Sequence, residues 1–235
     1  LKFDVVPSPA LQAQGRAWRA ASARPVALLA SSREGEEAMW LEVLKQKTPL
    51  APASQAPAAI DSGVNQSVQW LVVPRHPQRF DEVQRLCEAA GLRVSRRSQW
   101  TAQPDSADVW LGDSLGEMAL YYGLAHVALL GGSFAPLGGQ NLIEAAAGGC
   151  PVVMGPHTFN FAEAARLAID AGAALRVADM AEGVAAAAAL AQDPQRRRAL
   201  SERCVAFTEE HRGAALDTAL AVLQRLREAV DDRPD

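Results

Sequence analysis

The stretch that decides the fold covers residues 131–156, GGSFAPLGGQNLIEAAAGGCPVVMGP. It follows a short apolar run that predicts a β-strand over residues 127–130. Two glycine pairs come next, Gly131-Gly132 and Gly138-Gly139, and then a predicted helix over residues 141–148. Glycine pairs let the backbone approach a ligand closely, and a helix N-terminus offers free N–H groups and the positive end of a dipole. The stretch therefore predicts a strand–loop–helix unit suited to a phosphate group.

Three polar side chains at the start of this helix add to that prediction. Gln140 and Asn141 stand at its first residues, and Glu144 follows one turn later. Asn141 would aim its amide at the phosphate, and Glu144 can accept hydrogen bonds from hydroxyls such as those of a ribose. The pattern is neither the P-loop nor GxGxxG. The spacing alone leaves open a purely structural turn, with Glu144 as a helix-start carboxylate.

The rest of the chain alternates apolar runs with helix-like stretches, which is typical of an α/β fold with a parallel sheet. We predict strands over residues 26–30, 70–73, 92–95, 109–111, 127–130, 151–154 and 173–177. We predict helices over residues 11–20, 34–47, 78–90, 116–124, 141–148, 161–171 and 180–191, and one that starts at Pro194 with Asp193 as its cap. Residues 48–69 lack a period and are interpreted as a surface excursion. Leucines over residues 216–226 predict a terminal helix that packs on the core.

Composition excludes several classes of protein. The 235 residues carry a net charge of −4 and are 49% hydrophobic, so nothing favours a nucleic-acid partner. Two arginine clusters, at residues 93–97 and 196–198, are interpreted as solvated faces, with an anion site as the alternative. The three cysteines are widely spaced and predict unpaired thiols, and no metal-ligand spacing occurs. The sequence contains no run of about 18 apolar residues, and its first residues do not have the pattern of a signal peptide.

Polar residues follow most of the predicted strands, where the carboxyl ends of a parallel sheet form the ligand-binding edge. The candidates after the strands are Ser31, Ser32, Glu34, Arg75, His76, Asp113, Ser114, Gly131, Gly132 and Ser133. The candidates further along the chain are Gly138, Gly139, Gln140, Asn141, Glu144 and His157. We expect these groups to lie together at one edge of the sheet and to bind a nucleotide.

Individual roles follow from side-chain chemistry. Arg75 would bind phosphate oxygens through its planar fork, or it is a surface arginine at a strand end. The backbone of the glycine pairs and Ser133 would supply hydrogen-bond donors. Asp113 either lies in a loop that contacts a base edge or caps the helix near residue 116. His76 and His157 either line the cleft or order their loops.

Several motifs, in this order along the chain, resemble the C-terminal domain of the 3-deoxy-D-manno-octulosonic acid (Kdo) transferases of lipopolysaccharide synthesis. They are LKFD at residues 1–4, EGEE at 34–37, PRHP at 74–77, GDSLGEM at 112–118, GGS at 131–133, GGQN at 138–141 and GPHTFNF at 155–161. The chain departs from many relatives at Ser32, Arg33 and Gln140, where Thr, His and His are common. Ser32 keeps the hydroxyl and Gln140 keeps hydrogen-bonding capacity without titration.

The resemblance implies the C-terminal, donor-nucleotide half of a GT-B glycosyltransferase. Residues 1–23 would be an interdomain linker with a leading helix, and residues 24–235 a Rossmann-like donor domain. The full enzyme would transfer Kdo from CMP-Kdo to the lipid A precursor with inversion, without a cofactor or a metal. The general base would be a glutamate of the N-terminal domain, which leaves no catalytic residue here.

The implied partners are CMP-Kdo, the lipid A precursor through the N-terminal domain, and the membrane surface. The full enzyme would sit on the cytoplasmic face of the bacterial inner membrane, and this part of it would be soluble. Two alternatives remain: a sugar-nucleotide 2-epimerase of the same architecture, and a non-catalytic nucleotide-binding module.

Overall fold

The computed structural model describes residues 6–46 and 67–212, which form one parallel sheet covered by helices on both faces. The strands are β1 (Val26–Ser32), β2 (Gln69–Pro74), β3 (Val94–Arg96), β4 (Val109–Leu111), β5 (Val127–Leu130), β6 (Val152–Met154) and β7 (Ala174–Arg176). Their order across the sheet is β3-β4-β2-β1-β5-β6-β7, and every neighbouring pair is parallel. The chain therefore builds one half of the sheet on each side of β1, which makes the edge beside β1 a topological switch point.

The described residues contain eight α-helices, of which the first precedes β1 and the others connect the strands or follow the last one. They are α1 (Pro9–Ala21), α2 (Glu36–Gln46), α3 (Phe80–Ala89), α4 (Met118–Leu124), α5 (Ile143–Ala147), α6 (Ala162–Asp170), α7 (Met180–Gln192) and α8 (Pro194–His211). Short 3-10 turns over Pro77–Arg79, Arg97–Gln99 and Phe159–Phe161 complete the loops.

The core lies on both faces of the sheet because β1 is apolar on both sides. Val26, Leu28 and Ala30 pack into one apolar cluster, and Ala27 and Leu29 pack into the other. A strand that is buried on both faces has a nearly continuous apolar sequence. This explains why β1 appears in the sequence as an unbroken run.

Helix α1 packs closely against α4 through two glycines. A Cβ atom on Gly15 would come within 2.2 Å of the Leu120 carbonyl oxygen, and one on Gly123 within 2.6 Å of the Gln12 carbonyl oxygen. The absence of side chains at the crossing lets the two backbones touch. The leading helix is thus part of the packed body, whereas the predicted linker role of residues 1–23 stays a prediction.

The predicted α/β architecture is confirmed. Most predicted element bounds shift by one or two residues, and three of these differences bear on the site. β1 runs on to Ser32 through a register shift between Ala30 and Ser32. The helix predicted from residue 116 begins at Met118. The helix predicted over residues 141–148 is only the five residues of α5, because Asn141 and Leu142 precede it in irregular backbone.

Some of the remaining predictions are confirmed, and others concern residues that the structure does not describe. The Asp193 cap is confirmed, since its Oδ1 accepts from the Arg196 N–H at 2.9 Å. The three cysteines are buried free thiols, as expected. Most of the predicted surface excursion and the leucines of residues 216–226 lie outside the described residues. Within the described ranges, no helix combines the length and apolar character needed to cross a bilayer.

Candidate functional site

The carboxyl edge of the sheet begins with an unusual residue. Ser31, the penultimate residue of β1, has a φ of 51° and is the only non-glycine residue with positive φ in the described parts of the chain. This left-handed conformation is unfavourable for a side chain with a Cβ atom and persists only where the surroundings hold it. It directs the chain out of β1 at the switch point, so Ser31 lies half-buried at the edge where the loops after β1 and β5 meet.

Glu36 binds the glycine-rich loop from the first turn of α2. Its buried carboxylate accepts hydrogen bonds from the N–H groups of Gly132 at 2.7 Å, Phe134 at 3.0 Å and Ala135 at 3.4 Å. It also accepts from the Arg33 N–H at 2.9 Å. A buried carboxylate is stable only with such donors, so Glu36 occupies the anion-binding concavity of the loop.

This arrangement corrects the prediction that the first glycine pair supplies donors to a phosphate. The Gly132 N–H is bound to Glu36, and the Gly131 N–H donates to the Ala30 carbonyl at 2.8 Å. The Gly139 N–H donates to the Gly132 carbonyl at 2.7 Å. These three backbone donors therefore hold the loop in shape and are not available to a ligand.

Ser133 is corrected in the same way. Its side chain is fully buried, its hydroxyl donates to the Leu130 carbonyl, and its oxygen accepts from the Gly155 N–H at 2.8 Å. The hydroxyl thus joins the ends of β5 and β6. A ligand cannot reach it without opening the core.

The second glycine pair is needed for conformation and for close packing. Gly138 and Gly139 have φ values of +89° and +77°. A Cβ atom on Gly138 would lie 2.2 Å from the side-chain nitrogen of Asn160. That nitrogen donates to the Leu137 carbonyl at 3.1 Å, and the Asn160 N–H donates to the Gly138 carbonyl at 3.0 Å. The loop after β6 is therefore fastened directly onto the loop after β5.

The loop after β6 has two further attachments. The His157 N–H donates to the Ser133 carbonyl at 3.0 Å, and Arg176 donates to the Thr158 hydroxyl at 2.8 Å. The His157 imidazole stays half-exposed, and no described residue forms a hydrogen bond with it. The backbone of this segment orders the loop, and the imidazole remains available at the surface of the site.

Ser32 faces the interior, contrary to prediction. Its hydroxyl donates to the Glu37 carboxylate at 2.6 Å, and Arg79 donates to the same carboxylate at 2.8 and 3.1 Å. Burial raises the pKa of Glu37, and the hydrogen bonds from Ser32 and Arg79 oppose that effect. Ser32 therefore belongs to a buried network that joins β1, α2 and the turn before α3. The neighbouring Glu34 is exposed and pairs with Arg33 at 3.0 Å.

Asp113 and Ser114 have partners within the protein. Asp113 accepts from the Ser98 N–H at 2.8 Å, the Ser98 hydroxyl at 2.6 Å and the Arg96 Nε at 2.6 Å. Burial raises the pKa of Asp113, but these bonds outweigh it and the net shift is downward. Ser114 donates to Glu117 and shares a hydrogen bond with the Tyr121 hydroxyl. The Asp113 side chain therefore ties the loop after β4 to the loop after β3 and does not cap the helix, whereas contact of this loop with a base edge stays a prediction.

Arg75 and Glu144 form the open part of the site. Arg75 is exposed after β2, and among the described residues no carboxylate lies within ion-pairing distance of it. Glu144 is half-buried on α5, where burial raises its pKa and the charge of Arg75 opposes the shift. Because β2 and β5 flank β1, these two charges face each other across the switch point. His76 is half-buried beside Arg75, and its carbonyl accepts from the Arg79 N–H at 3.0 Å.

Asn141 acts mainly on its own loop. Its Oδ1 accepts from the Ile143 N–H at 3.1 Å, which closes a local turn before α5. Its amide nitrogen forms no hydrogen bond with the described residues, and both Asn141 and Gln140 are half-buried. With α5 only five residues long, the helix dipole adds little, so side chains are the main polar groups left for a ligand.

The structure thus separates the predicted residues into two groups. Eight keep an accessible polar side chain at the carboxyl edge: Ser31, Glu34, Arg75, His76, Gln140, Asn141, Glu144 and His157. Sequence reasoning missed three buried residues, Glu36, Glu37 and Arg79. Glu36 binds the loop after β5, and Arg79 binds Glu37 below the site. The signal was present in EGEE, where two adjacent glutamates begin a helix directly after an apolar strand.

No family model matches the chain. A 3-deoxy-D-manno-octulosonic acid transferase of Bordetella pertussis is 49% identical over 219 residues, which cover 93% of this chain and 49% of that protein. The chain spans about half the length of the curated relatives it matches. HepE of Anabaena, solved with UDP and glucose, is 12% identical with a TM-score of 0.57 over 96% of this chain and 53% of that one, and shows the fold alone.

A crystal structure of the C-terminal CMP-Kdo binding domain of WaaA from Acinetobacter baumannii matches this chain over nearly the whole length of that domain. It is 31% identical with a TM-score of 0.71, and the match covers 84% of this chain and 97% of that domain. The predicted fold, the C-terminal Rossmann-like half of a GT-B glycosyltransferase, is therefore confirmed. The chain belongs to the 3-deoxy-D-manno-octulosonic acid transferase family, and it corresponds to the C-terminal domain of that family's proteins.

Proposed function

We propose that this chain binds CMP-Kdo through its CMP moiety at the carboxyl edge beside β1. The observation that carries the proposal is the match to a CMP-Kdo binding domain over 97% of that domain's length. The open site agrees with it, because Arg75 and Glu144 lie on either side of the switch point where α/β sheets bind nucleotides.

The two charges fit different parts of the nucleotide. Arg75 carries a positive charge that no described carboxylate neutralises, and its forked donors match phosphate oxygens. Glu144 accepts hydrogen bonds from the ribose hydroxyls on the other side of β1. Gln140, Asn141 and His157 stand along the same edge and contact the sugar acid or the phosphate.

Transfer of Kdo requires CMP to leave as an anion. Negative charge grows on the phosphate as the glycosidic bond breaks, so a donor that strengthens its bond in that state accelerates the reaction. Arg75 has this role in our proposal. The full enzyme then transfers Kdo to the lipid A precursor with inversion, and the general base comes from the N-terminal domain.

The nucleotide preference of the chain tests this function. Calorimetric titration with CMP, UMP and UDP separates the proposal from the alternative of a sugar-nucleotide 2-epimerase, which needs UDP. We expect CMP to bind more tightly than UMP and UDP, because the Kdo donor carries cytosine and one phosphate. Tighter binding of UDP, or no binding of CMP, contradicts the proposal.

A further inference from the structure

A polar cavity lies at the opposite edge of the sheet from the candidate site, at the amino ends of the strands. It has a volume of about 280 Å³ and opens between α1, the start of α8 and the residues that precede β5 and β6. Three of its lining residues are arginines: Arg19, Arg197 and Arg198. One carboxylate, Glu202, also lines it. The carboxyl-edge site and this cavity share no residue.

Two of the arginines are held in position by backbone carbonyls. Arg19 donates through Nη1 to the carbonyl of Ala125, the residue that ends α4, at 3.0 Å. Arg197 donates through Nη1 to the carbonyl of Ala191 near the end of α7. Each guanidinium has five N–H donors, so several donors of each remain for another acceptor. Both side chains are half-buried, which limits the water that can satisfy those donors.

No described carboxylate pairs with these arginines. Within residues 6–46 and 67–212, none of the three forms a salt bridge at 4 Å or less. Burial lowers the pKa of Arg19 and of Arg197. The charge of Arg19 lowers the pKa of Arg197 further, and the charge of Arg16 does the same to Arg19. Asp193 attracts Arg197 from a distance. The cavity thus places three positive charges close together where few water molecules can solvate them. A bound anion would stabilise these charges.

Two neutral polar side chains, His126 and Ser201, also line the cavity. The Nδ1 of His126 accepts from the Val26 N–H at 2.9 Å, which places the imidazole proton on Nε2. Burial lowers the pKa of His126 to about 3, with Arg197 and Arg19 adding to the shift, so the ring is neutral at physiological pH. Ser201 donates to the Gly149 carbonyl at 2.6 Å, and its oxygen remains an acceptor.

We propose that Arg19, Arg197 and Arg198 form an anion site for a phosphate group at the amino-end edge of the sheet. A cavity of about 280 Å³ has room for a phosphate or a small phosphomonoester. The bound group accepts from the guanidinium donors of Arg19 and Arg197, and the exposed Arg198 contributes charge at the entrance. The site lies apart from the donor nucleotide and does not depend on the function proposed for it.

Thermal unfolding of the full 235-residue chain tests the site. Phosphate, and separately glycerol phosphate, are titrated against chloride at equal ionic strength, and the shift in Tm is fitted to an affinity. Vesicles of phosphatidylglycerol, compared with vesicles of phosphatidylcholine in a flotation assay, distinguish a lipid headgroup from a free phosphate. Binding by either source supports the site, provided that the variants below remove it.

Matched variants assign the binding to this cavity. Arg197→Gln should weaken phosphate binding about tenfold, since it removes a charged hydrogen-bond donor. Arg85→Gln, at an exposed arginine of α3 outside both sites, should leave the binding unchanged, and Glu202→Gln should strengthen it by removing a repelling charge. If Arg197→Gln fails to fold, Arg198→Gln replaces it, because Arg198 is exposed and forms no hydrogen bond with a described residue. The proposal is overturned if phosphate gives no shift, or if Arg75→Gln abolishes the shift while the cavity variants keep it.

Discussion

Two loops at the carboxyl edge of the sheet, the one after β5 and the one after β2, both contain predicted ligand-binding residues. In the structure their polar groups have different partners. The loop after β5 is rich in glycine, but its N–H groups at residues 131, 132 and 139 are bound inside the protein. The loop after β2 has no such pattern and offers Arg75, whose guanidinium has no partner among the described residues. A glycine-rich loop can therefore be a scaffold, while the neighbouring short loop holds the open charge.

The largest effect should come from removing the carboxylate that holds the first of these loops. Glu36→Gln keeps the side-chain volume but replaces one acceptor oxygen with a donor that faces backbone N–H groups. We expect the free energy of unfolding to fall by about 3–5 kcal/mol, the cost of breaking a buried charged network. Urea unfolding measures it, and Glu34→Gln, at an exposed glutamate two residues earlier, should change it by less than about 0.5 kcal/mol. Equal effects at both positions would contradict the scaffold role.

A glycine comparison tests the same loop through its shape. Gly138→Ala adds a Cβ atom 2.2 Å from the Asn160 nitrogen at positive φ, so backbone strain and overpacking combine to about 2–4 kcal/mol. Gly116 also has positive φ, but a Cβ atom there meets nothing within 4 Å. Gly116→Ala should therefore cost about 1 kcal/mol. Thermal unfolding of the two variants separates the cost of overpacking from the cost of backbone strain. Identical losses of stability would show that Gly138 is needed only for its positive φ.

A substitution at Arg75 tests the loop after β2, because it changes the arrangement of hydrogen-bond donors and keeps the charge. Arg75→Lys keeps the positive charge and loses the forked donor, so CMP binding should weaken by about 1–3 kcal/mol. Cytidine has no phosphate, and its binding should stay unchanged. Calorimetry with both ligands makes the comparison, and added salt should weaken CMP binding because one partner is a screened anion. Equal losses for CMP and cytidine would mark Arg75 as a scaffold residue.

Glu144 lies opposite Arg75, and its loss should affect the nucleoside. Glu144→Gln removes a charged acceptor for the ribose hydroxyls, so CMP and cytidine should both bind about 1–2 kcal/mol more weakly. Titration with 2′-deoxycytidine provides the control, since a ligand that lacks one hydroxyl should lose less on the same substitution. An unchanged affinity with an altered melting temperature would assign Glu144 to the start of α5.

The smallest effect concerns pH in the absence of nucleotide. Burial raises the pKa of Glu144 in the folded chain, so its contribution to stability is present below the usual carboxyl pKa of 4.5 and is lost as pH rises through the folded value. Glu144→Gln does not titrate. Its stability relative to the wild type should therefore increase between about pH 4 and pH 7, the range between the usual carboxyl pKa and neutrality. Urea unfolding at both pH values measures this, and the opposite trend would contradict the burial of the carboxylate.

The sheet was predictable because its signals are local. Each strand is a short apolar run, and Pro194 and Asp193 mark the start of α8 in the sequence alone. The position of the open edge was also predictable, since Arg75 and Glu144 follow strands at the switch point. Which polar groups remain free was not, because Glu36 reaches a loop almost a hundred residues further along the chain. Such a contact leaves no periodic signal, and Ser32 and Ser133 were misassigned for the same reason.

The Glu36 contact also bears on how the site can change over evolutionary time. A carboxylate that holds N–H groups is indifferent to the side chains of the residues that carry them, because every residue except proline offers the same donor. Pro136 is exposed and has no N–H, and the half-buried Leu137 donates its N–H to the Ala135 carbonyl at 2.7 Å. The tip of the loop can therefore accept new side chains while its path stays fixed. Variation at these two positions can therefore change the surface of the loop without rebuilding the sheet.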